Sequence, residues 1–225
     1  MPYGSFVQIM MDYAPDRDSR SLLKDLKGKG EKLQLSSGAD FGKQITRGLV
    51  FLHANDITHT DMKPANVLLR KTSTEEYHLF IGDLDTSVFM EHSYTTSKDP
   101  NRLLYTAPYM SPEMAGYVLQ TEATARPGRK TDVWSMGCIL IALVNSHLGT
   151  TDQWLEKGDT KESFQITEKV SSMTVVFKVK GGFRPVIDRS THQGIRELIE
   201  NCLRDDAEQR FSAASVLDTL EYLDL

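Results

Sequence analysis

Residues 59–69 read HTDMKPANVLL, and the interpretation of the whole chain depends on them. Within six residues they place a carboxylate (Asp61), an ammonium group (Lys63) and a carboxamide (Asn66), followed by an apolar run. A second apolar run comes shortly afterwards and ends in Asp83. Carboxylate and amide oxygens can hold Mg²⁺ against a phosphate chain, and a lysine can neutralise the phosphate that is transferred. The pattern therefore points to phosphate chemistry at the ends of two short strands.

The order of three short motifs resembles that of eukaryotic protein kinases, whose pattern is H-R-D-L-x-x-x-N, then D-F-G, then A-P-E. Here residues 59–62 read HTDM and are followed by Asn66, residues 83–85 read DLD, and residues 111–113 read SPE. Residues 105–113, YTAPYMSPE, are similar to the family pattern G-T-x-x-Y/W-M-A-P-E. The order and spacing of these motifs carry the resemblance, since each triplet alone is weak.

The resemblance implies a mainly α fold with a small β component (α+β), similar to the large lobe of a protein kinase. We expect residues 1–225 to form a single protein kinase domain that runs from the hinge strand through the C-terminal lobe. The closing residues resemble the tyrosine-kinase-like group. Upstream of residue 6 there is no room for the glycine-rich loop or the V-A-I-K lysine, so we expect the N-terminal lobe to be largely missing.

The resemblance also assigns the catalytic residues. Asp61 would orient the acceptor hydroxyl and take up its proton, Lys63 would stabilise the γ-phosphate, and Thr106 would lie against both. The implied cofactors are ATP and Mg²⁺, with Asn66 and Asp83 as metal ligands. A lysine two residues after the aspartate is the arrangement of serine/threonine kinases.

The adenine pocket is implied by four further residues. Residues 6–11 read as a strand that leads into the hinge, where Met11 would guard the back of the pocket, and the backbones of Asp12 and Ala14 would face the adenine edge. Leu68 would form the apolar floor of the pocket, although a core strand needs a buried leucine equally. Without the other motifs, residues 6–11 read as an edge strand with no ligand.

The apolar periodicity predicts the elements that carry these motifs. Phe41, Ile45, Leu49 and Leu52 recur on one face of a helix, with N-cap candidates at residues 36–40. Two apolar runs, 67–69 and 78–81, predict a hairpin. Residues 173–180 alternate between apolar and polar in the manner of a strand.

The most apolar part of the chain predicts a buried central helix. Residues 132–144 are apolar on every side, which is typical of a helix inside a larger domain. The resemblance implies that Asp132 caps this helix while binding backbone N–H groups of the catalytic loop. It also implies an ion pair between Glu113 and Arg210.

Two departures from the family pattern affect the site. Thr60 replaces the arginine that receives phosphate from the activation loop in many kinases, so we expect no switching by that route. Asp85 replaces the glycine of D-F-G, which reaches backbone angles that other residues adopt at a cost. A second carboxylate beside the metal could strengthen Mg²⁺ binding or misplace the ion.

Composition limits the alternatives. The 225 residues are 40% hydrophobic with a formal charge of −5, which argues against nucleic-acid binding. The longest apolar run, residues 136–144, is far short of a membrane span. Cys138 and Cys202 fall in apolar helical patterns and read as reduced core thiols, so we expect a cytoplasmic protein, with the nucleus as the alternative.

We therefore predict an enzyme that transfers the γ-phosphate of ATP to serine and threonine hydroxyls of protein substrates. The alternative is a truncated pseudokinase that acts as a scaffold or allosteric binding module. The expected partners are a protein substrate and, for either function, a missing N-lobe or a regulatory partner.

Overall fold

The computed structural model describes most of the chain, namely residues 13–73, 76–89, 105–121, 128–145, 154–157, 162–167, 169–223 and 225. The predicted strand over residues 6–11 lies outside this part, and Met11 and Asp12 lie outside it too.

Helices dominate the described residues, and the strands are short. The helices are α1 (Ser19–Gly28), α2 (Leu35–Ala54), α3 (Pro112–Val118), α4 (Arg129–Val144), α5 (Ser172–Lys180), α6 (Gln193–Cys202) and α7 (Ala213–Tyr222). The strands are β1 (Ile57–Thr58), β2 (Val67–Lys71), β3 (Tyr77–Ile81), β4 (Val88–Phe89), β5 (Trp154–Lys157), β6 (Glu162–Gln165) and β7 (Phe183–Pro185). Single 3₁₀ turns occur at Pro64–Asn66, Ala107–Tyr109 and Ala207–Gln209. The predicted α+β architecture, rich in helix, is confirmed.

Three small sheets connect these elements. The predicted hairpin is confirmed, because β2 and β3 pair antiparallel from Val67 opposite Ile81 to Lys71 opposite Tyr77. The two-residue strands β1 and β4 also pair antiparallel, on either side of the catalytic motifs. The third sheet has the order β6-β5-β7.

Helix α2 has the predicted apolar face, since Phe41, Ile45, Leu49 and Leu52 are buried. The predicted N-cap at residues 36–40 is wrong, because the helix already begins at Leu35, after Gln34, which makes no side-chain cap. The first turns are extended by packing rather than by capping. Gly38 and Ala39 are buried, and a Cβ atom on Gly38 would lie 3.7 Å from the carbonyl oxygen of Leu143, at the end of α4.

Helix α4 is the predicted central helix and is buried from Thr131 to Leu143. It begins three residues before Asp132, so the predicted capping role of that residue is wrong. Gly128 precedes the helix, and its N–H donates to the Thr131 hydroxyl at 3.2 Å. This arrangement leaves the Asp132 carboxylate available to other partners.

The strand predicted for residues 173–180 is wrong, because these residues form α5. The Ser171 hydroxyl accepts a hydrogen bond from the Thr174 N–H at 3.2 Å, which satisfies one of the free donors at the helix start. The buried residues Val175, Val176 and Val179 have helical spacing. Burial of one helix face therefore overrides the alternating pattern of the sequence.

The buried apolar residues form two separate clusters. The main core joins α2, α4, α6, α7 and the start of β2, and includes Leu49, Val67, Ile139, Leu198 and Leu220. The second cluster joins α3, α5, the turn at Ala107–Tyr109 and the third sheet, and includes Met110, Met114, Leu155, Val176 and Phe183.

Both cysteines lie in the main core as free, buried thiols, as the sequence predicts. Burial raises the pKa of Cys202 to about 12 and that of Cys138 still further, so both thiols stay protonated and unreactive. Among the described residues, no helix combines the length and the apolar character that crossing a membrane requires.

Candidate active site

Residues 59–66, which we call the catalytic loop after the motif that they resemble, lie between β1 and β2 and are held by the central helix α4. The Asp132 carboxylate accepts hydrogen bonds from the backbone N–H groups of His59 and Thr60, each at 2.8 Å. It also contacts Nε2 of His53 at 2.9 Å. The predicted contact between Asp132 and the loop backbone is therefore confirmed, although the residue lies within the helix rather than at its cap.

Thr60 has a left-handed backbone conformation, with φ = 70°, which is uncommon for a β-branched residue. Besides the hydrogen bond that its N–H donates to Asp132, two hydrogen bonds with Thr86 hold Thr60 and the preceding residue, His59, in place. The Thr60 hydroxyl donates to the carbonyl oxygen of Thr86 at 2.9 Å, and the Thr86 hydroxyl donates to the carbonyl oxygen of His59 at 3.2 Å. The residue that replaces the family's arginine therefore ties the catalytic loop to the segment that follows Asp83.

His59 links the same two segments through its ring. Its Nδ1 accepts the N–H of Asp61 at 3.3 Å, so its Nε2 carries the proton and donates to the carbonyl oxygen of Gly82 at 3.0 Å. The roles of Thr86 and Gly82 escaped the sequence analysis. Only the position of Gly82 directly before an aspartate could have indicated its role.

Asp61, Lys63 and Thr106 are brought together. The Lys63 ammonium contacts the Asp61 carboxylate and donates to the Thr106 hydroxyl at 3.0 Å. Asp61 is buried, although its carboxylate lies in a loop. The loop after β1 and the turn before α3 therefore meet at one lysine, although they lie more than forty residues apart in the sequence.

A backbone hydrogen bond brings the chain at Asn66 close to the chain just before Asp83. The Asn66 side-chain N–H₂ group donates to the carbonyl oxygen of Asp61 at 2.9 Å, so its side-chain oxygen remains available as a ligand. The carbonyl oxygen of Asn66 accepts the N–H of Gly82, which directly precedes Asp83, at 2.8 Å.

The donor set at this position fits Mg²⁺. Asp83 is exposed, and no partner of its carboxylate is found among the described residues. Among the described residues, no three histidine, cysteine, aspartate or glutamate side chains lie close enough together to hold a metal ion. The candidate donors at this position are therefore one carboxylate oxygen and one carboxamide oxygen. Mg²⁺ is usually bound by one or two carboxylates together with substrate phosphates.

Asp85 does not adopt the backbone angles for which glycine is favoured. Of the two aspartates in DLD, Asp83 has the positive φ, 61°, and Asp85 does not. The expected backbone cost of replacing glycine therefore does not arise at residue 85. Asp85 is exposed, so a second carboxylate does follow closely after Asp83.

The implied adenine residues are only partly within the described residues. Leu68 is half-buried in β2 and packs closely on Gly82, because a Cβ atom on Gly82 would lie 2.9 Å from its Cδ1 atom and would force the leucine side chain to shift. The segment that contains Ala14 runs beside β2, since the N–H of Asp16 donates to the carbonyl oxygen of Leu69 at 3.2 Å. Ala14 is half-buried.

Comparison with known proteins agrees with this geometry. The chain matches the family model described as "Protein kinase domain" over residues 3–220. The chain belongs to the protein kinase family.

Several curated kinases are similar to this kinase domain. Mitogen-activated protein kinase kinase kinase 4 of Homo sapiens is 30% identical over 179 residues, which are 79% of this chain and 10% of the relative. Mitogen-activated protein kinase kinase 9 of Arabidopsis thaliana is 27% identical over 221 residues, 96% of this chain and 60% of the relative. Serine/threonine-protein kinase ULK3 of Homo sapiens is 32% identical over 174 residues, 76% of this chain and 30% of the relative. The kinase domain thus spans less than two thirds of each of these relatives.

We call residues 105–110 of the kinase domain the acceptor loop, and a buried ion pair fixes the chain directly after it. Arg210, which is 2% exposed, donates to the two carboxylate oxygens of Glu113 at 2.8 and 3.2 Å, so the predicted pair is confirmed. The Thr131 hydroxyl donates to the same carboxylate at 3.1 Å. Burial alone would raise the pKa of Glu113, but the hydrogen bonds and charge of Arg210 outweigh burial and hold the pKa below its usual range.

Proposed function

We propose that this chain is the large lobe of a protein kinase that phosphorylates serine and threonine residues of protein substrates. The observation that carries the proposal is the meeting of Asp61, Lys63 and Thr106. Asn66 is hydrogen-bonded to the backbone of Asp61, and Gly82, which directly precedes Asp83, is hydrogen-bonded to the backbone of Asn66. Phosphoryl transfer demands positioning and charge neutralisation rather than covalent chemistry by the protein, and this arrangement offers both.

Asp61 is proposed to accept a hydrogen bond from the acceptor hydroxyl and to take up its proton as the bond to phosphorus forms. Lys63 lies between this carboxylate and the Thr106 hydroxyl, where its charge can neutralise the phosphoryl oxygens. Thr106 holds the lysine in that position. The relatives named as serine/threonine-protein kinases support the choice of acceptor.

Asn66 and Asp83 are proposed to hold Mg²⁺ through one side-chain oxygen of each residue. When bound, ATP would supply the phosphoryl group and Mg²⁺ would neutralise negative charge on it. Leu68 and the backbone of Ala14 would contact the adenine, together with Met11 and Asp12, which lie outside the described residues. A small lobe, on this or another polypeptide, would cover the other side of the nucleotide. The proposed location is the cytoplasm, with the nucleus as the alternative.

A binding module without catalytic activity is the second candidate. The exposed carboxylate of Asp85 favours it, because a negative charge beside Asp83 can draw the metal away from the phosphates. A scaffold of this kind would bind partners through the same surface and transfer no phosphate.

The deciding experiment measures phosphate transfer from Mg·ATP to threonine-containing peptides by the complete protein and by Asp61→Asn. We expect kcat to fall by about 10²–10⁴-fold, the usual contribution of a positioned general base. Asp218→Asn is the matched control, because Asp218 is an exposed aspartate on α7, and it should keep wild-type activity.

Equal rates for the wild type and Asp61→Asn would show that this loop is not the catalyst. Binding of a fluorescent ATP analogue without any phosphate transfer would favour the scaffold.

A further inference from the structure

Helix α5 exposes two large apolar side chains on one face. Met173 is 42% exposed and Phe177 is 60% exposed. Residues four apart lie above one another on a helix, so these two side chains form a continuous strip. The other face of α5, with Val175, Val176 and Val179, is buried in the second cluster. Packing therefore fixes the strip in its outward orientation.

The strip connects directly to the candidate active site. The phenol of Tyr105 donates to the sulfur of Met173 at 3.6 Å, and Tyr105 immediately precedes Thr106. Tyr105, Thr106 and Asp61 also line the same small cavity. We call the surface formed by Tyr105, Met173 and Phe177 the α5 ridge.

Tyr105 is a particular feature of this chain. It stands where the family pattern G-T-x-x-Y/W-M-A-P-E has glycine. A glycine at this position would offer neither a ring beside Thr106 nor a hydroxyl group for Met173. The aromatic side chain thus bridges the acceptor loop and α5, and it makes the ridge apolar from the active site outward.

We propose that the α5 ridge binds an apolar side chain of the protein substrate, about two to five residues from the phosphorylated serine or threonine. This inference rests on the proposed function and specifies its substrate class. An acceptor hydroxyl must come within about 2.6–3.2 Å of Asp61, so the residues next to it pass over Thr106 and Tyr105. An extended chain advances about 3.3–3.6 Å per residue, and one helical turn of α5 spans about 5.4 Å. A few residues therefore suffice to reach from Asp61 to Phe177.

The protein substrate is the occupant that this geometry favours, because the ridge is continuous with the place where the acceptor must lie. Binding energy gained away from the reacting atoms can also be used to position the acceptor. A contact of this kind affects which peptide is phosphorylated rather than the chemistry of transfer.

The test uses the complete protein and a set of peptides with one threonine in a background of alanine, glycine and glutamine. A single leucine is moved from five residues before the threonine to five residues after it. Phosphorylation from Mg·ATP gives kcat and KM for each peptide. In parallel, fluorescence anisotropy measures the binding of labelled peptides in which alanine replaces the threonine.

We expect one or two leucine positions to raise kcat/KM by about tenfold over the peptide without leucine, mainly through KM. Met173→Ser and Phe177→Ser should reduce that gain to within about twofold and leave the rate on the peptide without leucine unchanged. Phe51→Ser is the matched control, since Phe51 is 67% exposed on α2, and it should keep the full gain.

Tyr105→Phe separates the ridge from a merely structural role. It keeps the ring but removes the donor to Met173, so the leucine gain should fall while the peptide without leucine is unaffected. An equal loss on all peptides would mean that Tyr105 only stabilises the fold, and would overturn its place in the ridge.

The proposal is overturned if phosphorylation shows no leucine preference, or if Phe177→Ser leaves the preference intact. It is also overturned if the ridge variants change only the oligomeric state, which would make a second copy of the chain the occupant. If no phosphate is transferred but anisotropy still shows a preferred leucine position, the proposed function is wrong. Binding of an apolar side chain by the α5 ridge is then supported independently of catalysis.

Discussion

The two apolar clusters of this kinase domain support opposite sides of one site. The main core carries the catalytic loop through β1, β2 and the Asp132 carboxylate, and so positions the residues proposed to handle the nucleotide and metal. The second cluster carries the acceptor loop at residues 105–110, which faces the proposed protein substrate. The main core is built from long helices, whereas the second cluster uses short helices and a three-stranded sheet.

This difference suggests a division of labour within one fold. The main core would support the proposed chemistry, and the second cluster would support the proposed choice of substrate. Several contacts join the parts, and the ion pair of Glu113 with Arg210 and the hydrogen bond of Lys63 with Thr106 are two of them. Substitutions at these contacts should affect both clusters, whereas substitutions inside one cluster should affect mainly that cluster.

The largest effect on stability is expected from Arg210→Ala, which removes the ion pair with Glu113. It leaves the Glu113 carboxylate, which is 17% exposed, without its charged partner, and loss of one member of a buried pair lowers the free energy of unfolding by about 3–5 kcal/mol. Urea unfolding measures this change. The matched control is Arg47→Ala, whose exposed pair with Glu221 should contribute only about 0–1 kcal/mol. Equal effects of the two variants would show that the buried pair is not special.

A pair of core substitutions should separate the two clusters. Leu140→Ala in the main core should lower the free energy of unfolding by about 2–5 kcal/mol and leave peptide KM unchanged. Val176→Ala in the second cluster should lower it by about 2 kcal/mol and raise peptide KM, because α5 packs against the acceptor loop.

Urea unfolding and steady-state kinetics on one peptide decide between these outcomes. The division between the clusters would be contradicted if Leu140→Ala raised the peptide KM and Val176→Ala did not.

The pH dependence of stability should show a smaller effect of the same ion pair. Arg210 holds the pKa of Glu113 below its ordinary value of 4.5, so the unfolded chain binds a proton at pH values where the folded chain does not. Stability from this group is therefore complete above 4.5 and is lost as the pH falls through the lower, folded-state pKa. Urea midpoints measured at decreasing pH should fall less steeply for Glu113→Gln than for the wild type. Parallel curves would show that Glu113 does not titrate with a lowered pKa.

The main core and the catalytic loop could be predicted well from the sequence, for a physical reason. A helix buried on one face shows its period directly, as Phe41, Ile45 and Leu49 do in α2. A short loop that combines a carboxylate, a lysine and an amide indicates phosphate and metal binding, because these are the groups that such ligands require. The family and the hairpin followed from such local patterns.

The second cluster was less predictable, because its structure depends on tertiary packing. Residues 173–180 alternate like a strand, yet they form α5 because Val175, Val176 and Val179 find a partner surface far away in the sequence. The start of α2 was misplaced for the same reason, since packing of Gly38 on α4 decides it. The start of α4 was misplaced because a local hydrogen bond, from Gly128 to Thr131, begins the helix before Asp132. No local pattern could indicate that Thr86 would hold Thr60.

The most direct test of the central claim is a double-mutant cycle between Lys63 and Thr106, measured as kcat/KM on a threonine peptide. These residues lie on two loops that are supported by different clusters, and the Lys63 ammonium meets the Thr106 hydroxyl at 3.0 Å. If both clusters form one catalytic centre, Lys63→Met and Thr106→Val should each lower kcat/KM and show a coupling energy of about 1–3 kcal/mol. Effects that add to within about 0.3–0.5 kcal/mol would contradict the account, because the two loops would then act independently.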